Sequence, residues 1–403
     1  MRRNRTSAGP EVVQNDIVTD ATPLFQPSHS LPTRHHSRWP TTPDSGIPLT
    51  VDETDFRALV SGKRRGPIAT GLRALLWLAK WPYHAAISAR NFAYNTNALA
   101  THPANVPVLS IGNLTTGGTG KTPLVAWLAN HLADSGHQVG LLSRGYRRPN
   151  NDTNRETGSG NDEKRLLETL CPGTPHVQDP DRVAGARQAV AQHDCDVLVL
   201  DDGFQHRRLR RILDIVLIDA TCPLGYGHLL PRGLLREPLA ALRRASLVIL
   251  TRIDQVHPDR LQQLKDRLST WIDDKRIAEV TFQPTGLVNS DGATLGLDAL
   301  NESRVLTFCG IGNPEAFHAS LDPVDLRNFP DHHHYGNDEL DELASWADRH
   351  QAELLLTTCK DLVKIPRTQL GHTPLWALQI GVQWVSGRAM VETAVADVLD
   401  ANN

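Results

Sequence analysis

From residue 106 onward the chain alternates short apolar runs with longer amphipathic stretches. Val106-Pro107-Val108-Leu109-Ser110-Ile111, Val139 to Ser143, Asp196 to Leu200, Ile215 to Asp219 and Leu247 to Thr251 read as buried strands, and Leu124 to Leu132 reads as a helix. Alternation of this kind predicts a parallel sheet with crossover helices. A second series opens at Val305-Leu306-Thr307-Phe308-Cys309 and continues with strands over Ala352 to Thr357 and Leu375 to Ile380 and helices over Asn337 to Gln351 and Met390 to Leu399. The pattern predicts an α/β main domain over residues 53–302 and a smaller C-terminal α/β domain over 303–403. Residues 1–52 are rich in Pro, Ser, Thr, Asn and His without apolar periodicity, and are expected to form a disordered extension.

The stretch before the first strand is patterned differently. From Phe56 to Leu132 there is no Asp or Glu, whereas Arg57, Lys63, Arg64, Arg65, Arg73, Lys80 and Arg90 all precede residue 106. Leu75, Leu76, Trp77 and Leu78 lie between Arg73 and Lys80, with Trp81, Tyr83, Phe92 and Tyr94 following. A bilayer span needs about 20 mostly apolar residues, which these charges interrupt. A basic helix bearing Trp and Leu, over about 68–98, fits an anionic membrane surface instead. The alternative is a helix packed on the protein's own core. Met1-Arg2-Arg3-Asn4-Arg5 looks like the start of a signal peptide, but no apolar segment follows and secretion is not expected.

Chemistry concentrates where the predicted strands end. After the first strand come Thr115, Thr116, Gly117, Gly118, Thr119, Gly120, Lys121 and Thr122, followed directly by the helix. In a phosphate-binding loop, glycines let backbone N–H groups close around a polyphosphate and the helix N-terminus adds its positive end. The lysine neutralises the β and γ phosphates, and the Ser/Thr hydroxyl binds Mg²⁺. Thr115 stands where the common pattern has glycine. The strand, the lysine and the threonine nevertheless favour a P-loop NTPase-like sheet over an ordinary glycine-rich connection.

Asp201 and Asp202 follow Val197-Leu198-Val199-Leu200, the layout of a strand whose aspartate orders Mg²⁺ beside a phosphate loop. The Gly/Pro-punctuated loop Gly225 to Pro238 carries Arg236, a candidate for phosphate charge, and Glu237, a candidate metal ligand; a structural ion pair between the two is the alternative. Arg144, in Ser143-Arg144-Gly145-Tyr146, and Gln205, in Asp201-Asp202-Gly203-Phe204-Gln205-His206, are further candidates for contacts to substrate or phosphate. Thr251-Arg252-Ile253-Asp254 matches weakly the base-reading loop of GTP-binding switches. Phe329-Pro330-Asp331-His332-His333-His334-Tyr335 lacks the spacing of typical zinc sites and is better suited to orienting a group or handling a proton, or to forming a surface turn.

Composition narrows the classes. A chain of 403 residues with 40% hydrophobic content has room for two cores. A net charge of −3 lacks the basic footprint of a nucleic-acid binder. Five cysteines, odd in number and without a C-x-x-C pair, suggest neither a disulfide framework nor a zinc ribbon.

Six segments together resemble the tetraacyldisaccharide 4′-kinase family: Gly112 to Pro123, Ser143 to Tyr146, Asp201 to His206, Leu229-Leu230-Pro231 through Pro238, Phe329 to His333, and Thr357-Thr358-Cys359-Lys360-Asp361. They cover the chain from about Ile68 to about Gly387, and Thr115 is what the family itself has. The resemblance implies an ATP- and Mg²⁺-dependent kinase that phosphorylates the 4′-hydroxyl of an acylated glucosamine disaccharide 1-phosphate. It places this enzyme peripherally at the cytoplasmic face of the inner membrane, with no obligate protein partner evident. The family's general base lies in a G-D-E-P motif, whose counterpart is Gly160-Asn161-Asp162-Glu163-Lys164, which assigns the base to Asp162. A sugar hydroxyl needs a positioned carboxylate, and His332 is the candidate to orient it. Glu163 as base, and His332 as a mere turn residue, are the competing readings. A membrane-associated regulatory nucleotide switch is the alternative function; it would bind GTP and need no acidic base.

Overall fold

The computed structural model describes residues 53–145, 159–301, 303–312, 314–318, 321, 323–331 and 333–401. The expected disordered extension and His332 lie outside the described residues. Ten helices follow one another among those described: α1 Glu53–Val60, α2 Pro67–Asn95, α3 Lys121–Asp134, α4 Ser159–Leu170, α5 Arg182–His193, α6 Pro258–Leu268, α7 Pro314–His318, α8 Asn337–Arg349, α9 Cys359–Leu362 and α10 Arg388–Asp400. The strands are β1 Val108–Asn113, β2 Val139–Ser143, β3 His176–Gln178, β4 Val197–Asp201, β5 Leu213–Asp219, β6 Leu247–Thr251, β7 Ile277–Val288, β8 Thr294–Leu295, β9 Val305–Cys309, β10 Asp325–Asn328, β11 Leu354–Thr358, β12 Gln369–Leu370 and β13 Thr373–Ser386.

The strands join in one sheet, ordered β10-β9-β11-β13-β7-β6-β5-β1-β4-β2-β3 with β8 and β12 at its margins. From β7 to β3 all neighbours are parallel, as they are from β10 to β13. The two parallel halves meet in a long antiparallel seam, β7 against β13. Strands β1, β2 and β6 are buried throughout. That explains why they read as continuous apolar runs: helices cover both faces of a parallel sheet. On one face of the first half, Leu109, Ile111, Val199 and Ile215 pack with Leu124 and Leu128 of α3; on the other, Val216, Ile218, Val248 and Leu250 pack with Leu264 and Leu268 of α6.

Residues after 303 do not all pack with the second half of the sheet. Val391, Val395 and Leu399 of α10 belong to the same buried cluster as Leu109, Leu124 and Leu128. Burying each such side chain contributes about 1.5–3 kcal/mol, so the end of the chain stabilises the first half. The described part of Pro43–Asn403 accordingly forms one compact unit.

Helix α2 begins with Pro67 at a position where its missing N–H is not needed, and it has no acidic residue in its first turn. Only Ala69 of its 29 residues is buried. Its C-terminal half is nevertheless tied down: Tyr83 Oη donates to the Arg236 carbonyl (2.8 Å), Arg90 Nη2 to the Gln205 carbonyl (2.8 Å) and Asn91 Nδ2 to Glu237 Oε2 (2.8 Å).

Candidate active site

The order of strands reverses around β1, which lies between β4 and β5, and ligands in open α/β sheets bind beyond the carboxyl ends of strands at such a point. There the chain leaves β1, turns through Thr115 to Gly120, and enters α3 with Lys121 as its first residue. Gly120 caps the helix at φ 82°, a left-handed conformation that a side chain would strain. The loop is pinned from both sides. Thr116 N–H donates to the Leu234 carbonyl (2.8 Å) and Arg236 N–H to the Leu114 carbonyl (2.7 Å), while Thr115 forms a β-bridge with Leu235. From β6, Thr251 Oγ1 donates to the Thr119 carbonyl (3.0 Å), and Asn113 Nδ2 donates to Thr119 Oγ1 (3.1 Å) from inside. Arg252 Nη1 donates to the Gly118 carbonyl (2.8 Å) and also pairs with Asp219. The segment that weakly matched a base-reading loop therefore braces the phosphate loop.

The acidic pair stands at the end of β4. Asp202 adopts φ 52°, a conformation uncommon for any residue but glycine and tolerated best by Asp and Asn. Its carboxylate accepts two bonds from Arg236 Nη1 (both 2.8 Å) and lies 3.7 Å from Lys121 Nζ. Burial works against its ionisation, but Lys121 and Arg236 together hold its pKa below the usual carboxylate range. Asp201 is the opposite case. Burial pushes its pKa up to about 6, with Asp202 and Glu163 adding to the rise and Lys121 opposing it. Its Oδ1 is buried and has no hydrogen-bond partner among the described residues.

An orphaned carboxylate oxygen is costly unless something cationic meets it. No cluster of three or more His, Cys, Asp or Glu forms a metal centre among the described residues. Mg²⁺ takes one or two protein oxygens and fills its shell with phosphate and water. Asp201, with Thr122 in the first turn of α3, fits such an ion.

The other expected residues divide. Asp162, in the first turn of α4, is buried, and its Oδ2 has no partner among the described residues; Glu163 beside it is exposed. Gln205 is held at both ends, its Nε2 donating to the Asn113 carbonyl (3.0 Å) and its Oε1 accepting from Arg236 Nη1 (3.3 Å). Arg144 is exposed at the end of β2. Glu237, the other candidate metal ligand, is engaged within the fold. It is fully buried, and its carboxylate is taken by Asn91 and by Arg244 (Nη2 to Oε2, 3.1 Å), so it anchors α2. The alternative reading, an ion pair between Arg236 and Glu237, is not what forms: Arg236 pairs with Asp202 and Glu237 with Arg244.

Two residues of the site went unremarked in the sequence. Arg182, at the start of α5, is only 5% exposed. Burial and Arg144 lower its pKa while Asp202 and Asp201 support it, which places its charge among theirs; its Nε has no partner among the described residues. His206 is brought down to about 4 by burial, with Arg182 and Arg211 adding, so it is neutral near pH 7. Asp179-Pro180-Asp181-Arg182 reads as an ordinary helix start, with Asp181 accepting from Val183 N–H as the cap. A buried arginine one residue past such a cap was the available signal.

A phosphate loop at the switch point of a parallel sheet, with an acidic pair at the end of the adjacent strand, defines a P-loop nucleotide-binding α/β protein. More particularly, the chain belongs to the tetraacyldisaccharide-1-P 4′-kinase (LpxK) family, whose model matches residues 72–400. It is 39% identical over 355 residues to the tetraacyldisaccharide 4′-kinase of Anaeromyxobacter sp. (strain Fw109-5), covering 84% of this chain and 94% of that one. It is 33% identical over 314 residues to that of Halothermothrix orenii, covering 72% and 82%. A crystal structure of LpxK from Aquifex aeolicus in complex with ATP superposes with a TM-score of 0.64 at 29% identity, covering 81% of this chain and 99% of that one.

Proposed function

We propose that the protein transfers the γ-phosphoryl group of ATP to the 4′-hydroxyl of an acylated glucosamine disaccharide 1-phosphate at a membrane surface. The observation that carries the reading is the buried Asp162 with an unpartnered oxygen, beside Glu163, whose charge reaches Asp201. A phosphate-binding switch has no use for a second buried carboxylate there. An enzyme that must take a proton from a sugar hydroxyl does.

Lys121 and the N-terminus of α3 hold the polyphosphate, and Arg236, held rigid by Asp202 and Gln205, faces the charge that develops on transfer. Mg²⁺ on Asp201 and Thr122 would neutralise phosphate oxygens. Asp162 accepts the proton of the attacking hydroxyl. His332 is assigned to orient Asp162 from the C-terminal half. What supports this role is that Arg165 of α4 donates to the Val363 carbonyl (3.3 Å) just beyond α9 and so joins the helix bearing Asp162 to that half.

Helix α2 supplies the membrane contact in this reading. Ile68, Leu75, Leu78 and Phe92 are more than half exposed, as is Trp81, and Lys80 sits over the rings of both Trp77 and Trp81 at about 5 Å. No helix among the described residues is long and apolar enough to cross a membrane. An interfacial helix whose other end bonds to Arg236, Glu237 and Gln205 ties the lipid surface to the catalytic loop. The cytoplasmic face of an inner membrane, where ATP and acylated sugar meet, is the compartment this chemistry fits. Incubation with ATP, Mg²⁺ and the acylated disaccharide 1-phosphate should yield a product heavier by one phosphate. ATP consumption without that product would overturn the reading.

A further inference from the structure

Helix α2 has two faces. Leu75, Leu78 and Trp81 are exposed on one, while Arg73, Leu76, Lys80, Tyr83, Ile87 and Arg90 are half-buried at helical spacing and form a single stripe. Tyr83 and Arg90 of that stripe bond to the Arg236 and Gln205 carbonyls, so Arg73 and Lys80 are turned the same way, toward the 225–238 loop. The tip of that loop brings Arg232 to meet them. Gly233 N–H donates to the Leu229 carbonyl (3.0 Å) and Leu235 N–H to the His228 carbonyl (3.1 Å), a tight turn that holds Arg232 in place. Arg232 Nη1 donates to the Val60 carbonyl (3.0 Å), and Arg73 donates to the Arg64 carbonyl (Nη1, 2.7 Å) and to Thr70 Oγ1 (Nη2, 3.1 Å). A guanidinium has five N–H donors, so these bonds aim it without exhausting it. The closeness of the cations shows in their acid–base chemistry. Burial, then Arg73, lowers the pKa of Arg232, and burial, then Arg232 and Lys80, lowers that of His228. Both contributing segments, 56–132 and 220–236, are free of acidic residues, and no carboxylate pairs with Arg73, Lys80 or Arg232 among the described residues.

We infer that Arg73 and Arg232, with Lys80 beside them, bind the 1-phosphate of the acylated disaccharide and so fix which of its ends faces the phosphate loop. The inference rests on the kinase reading above and adds a second anchor for the acceptor. Like charges gathered without an acid are held at a cost that an anion relieves, and a guanidinium meets phosphate oxygens with parallel bonds. Position agrees with charge. Arg73 lies about 15 Å along α2 from Tyr83, the residue that bonds to Arg236. A disaccharide carries its 4′-hydroxyl and its 1-phosphate at opposite ends, so with the hydroxyl at the site of transfer the phosphate is met some way along the helix. The acyl chains then fall beside Leu75, Leu78 and Trp81 on the neighbouring exposed face. An acceptor bound in reverse would leave these cations unmet, which gives the arrangement its selectivity.

The test compares the acylated disaccharide 1-phosphate with the same disaccharide lacking the phosphate, in neutral detergent micelles, for the full-chain parent, Arg232→Gln and Arg73→Gln. Binding without ATP and turnover with it are both measured. On the 1-phosphate acceptor each variant should lose roughly 10- to 100-fold in affinity and in kcat/KM, the loss expected for hydrogen bonds to a charged group, with kcat near the parent's. On the acceptor without the phosphate, variants and parent should agree within twofold, a match that damage to α1 or α2 would not give. Equal losses on both acceptors, or none on either, overturn the inference. So does a variant that keeps its affinity for the 1-phosphate acceptor but sediments less with phosphatidylglycerol vesicles, which would assign the cluster to bilayer headgroups. The two readings fail separately. A parent that binds the 1-phosphate acceptor more tightly than the bare one yet transfers no phosphoryl group refutes the kinase reading and keeps the subsite, whereas a parent and variants that phosphorylate both acceptors alike refute only the subsite.

Discussion

The two halves of the sheet are built alike, yet an aspartate at or just past a strand end is treated in opposite ways in each. In the C-terminal half, Asp361 follows β11 much as Asp201 closes β4. It is fully buried, yet it accepts from Gly310 N–H (3.0 Å) and Thr358 Oγ1 (2.7 Å) and pairs with Lys364 (3.4 Å). In the first half, Asp201 Oδ1, Asp162 Oδ2, Arg182 Nε and His206 Nε2 are buried without partners among the described residues. Satisfied polar networks hold a fold together, and unsatisfied ones are kept at a cost for something yet to bind. Asp361 and Asp201 both belong to segments that carry the family resemblance, so resemblance alone did not distinguish structural acid from working acid.

The largest effect that could break this contrast is on turnover. Asp162→Asn should lower kcat by roughly 10²–10⁴-fold, the range for a lost general base, with ATP affinity and unfolding midpoint unchanged. Single-turnover measurements beside Glu163→Gln decide between the two acids, and a dominant Glu163 effect would reassign the base. If His332 acts with Asp162, the double variant should lose little more than the worse single one, because residues acting as a unit are not lost twice.

In the other half the expected loss is of stability. Asp361→Ala strands the buried Lys364 and should cost about 3–5 kcal/mol by urea unfolding, while kcat per folded molecule stays within twofold. A protein of parental stability but without activity would turn the contrast around.

A smaller effect follows from His176, the first residue of β3, whose ring bonds to Ser143 Oγ at the end of β2 (2.8 Å). Burial, with Lys164 adding, brings its pKa down to about 4. An unfolded chain takes up that proton near pH 6.5, so the native state is undiminished above about 6.5 and loses stability as pH falls toward 4, by up to about 3 kcal/mol. His176→Gln should flatten this acid limb; equal losses between pH 7.5 and 5 in both proteins would refute the assignment. His333 in the C-terminal half is instead bonded to Glu339 (3.0 Å).

The membrane contact is the weakest of these terms. Replacing Arg73, Lys80, Trp77 and Trp81 together should reduce sedimentation with anionic vesicles, each basic residue contributing about 1 kcal/mol, whereas deleting residues 1–50 should not. Unchanged sedimentation of the quadruple variant would make α2 a purely structural helix.

Periodicity located Val139–Ser143, Leu247–Thr251 and Val305–Cys309 to the residue, because strands covered on both faces must be continuously apolar. It under-read β13, which runs to Ser386 as an antiparallel strand with half-exposed positions. The phosphate loop and the acidic pair were legible because their chemistry is local. The bonds of Glu237 were not legible, since its partners, Asn91 and Arg244, come from other elements and one lies 146 residues away. Arg182 escaped for the same reason: a charge one residue into a helix becomes part of a site only through folding.

The return of α10 to the first core also bears on biosynthesis. Leu124 and Leu128 pack in one cluster with Val395, so some of the nucleotide half's own interior is made last. At about 5–20 residues per second, roughly a quarter to most of a minute separates their synthesis from that of their final neighbours. A nascent chain stalled before residue 388 would display an apolar surface beside an already formed phosphate loop, a state for chaperones to shield and for a ribosome-bound protease assay to reveal.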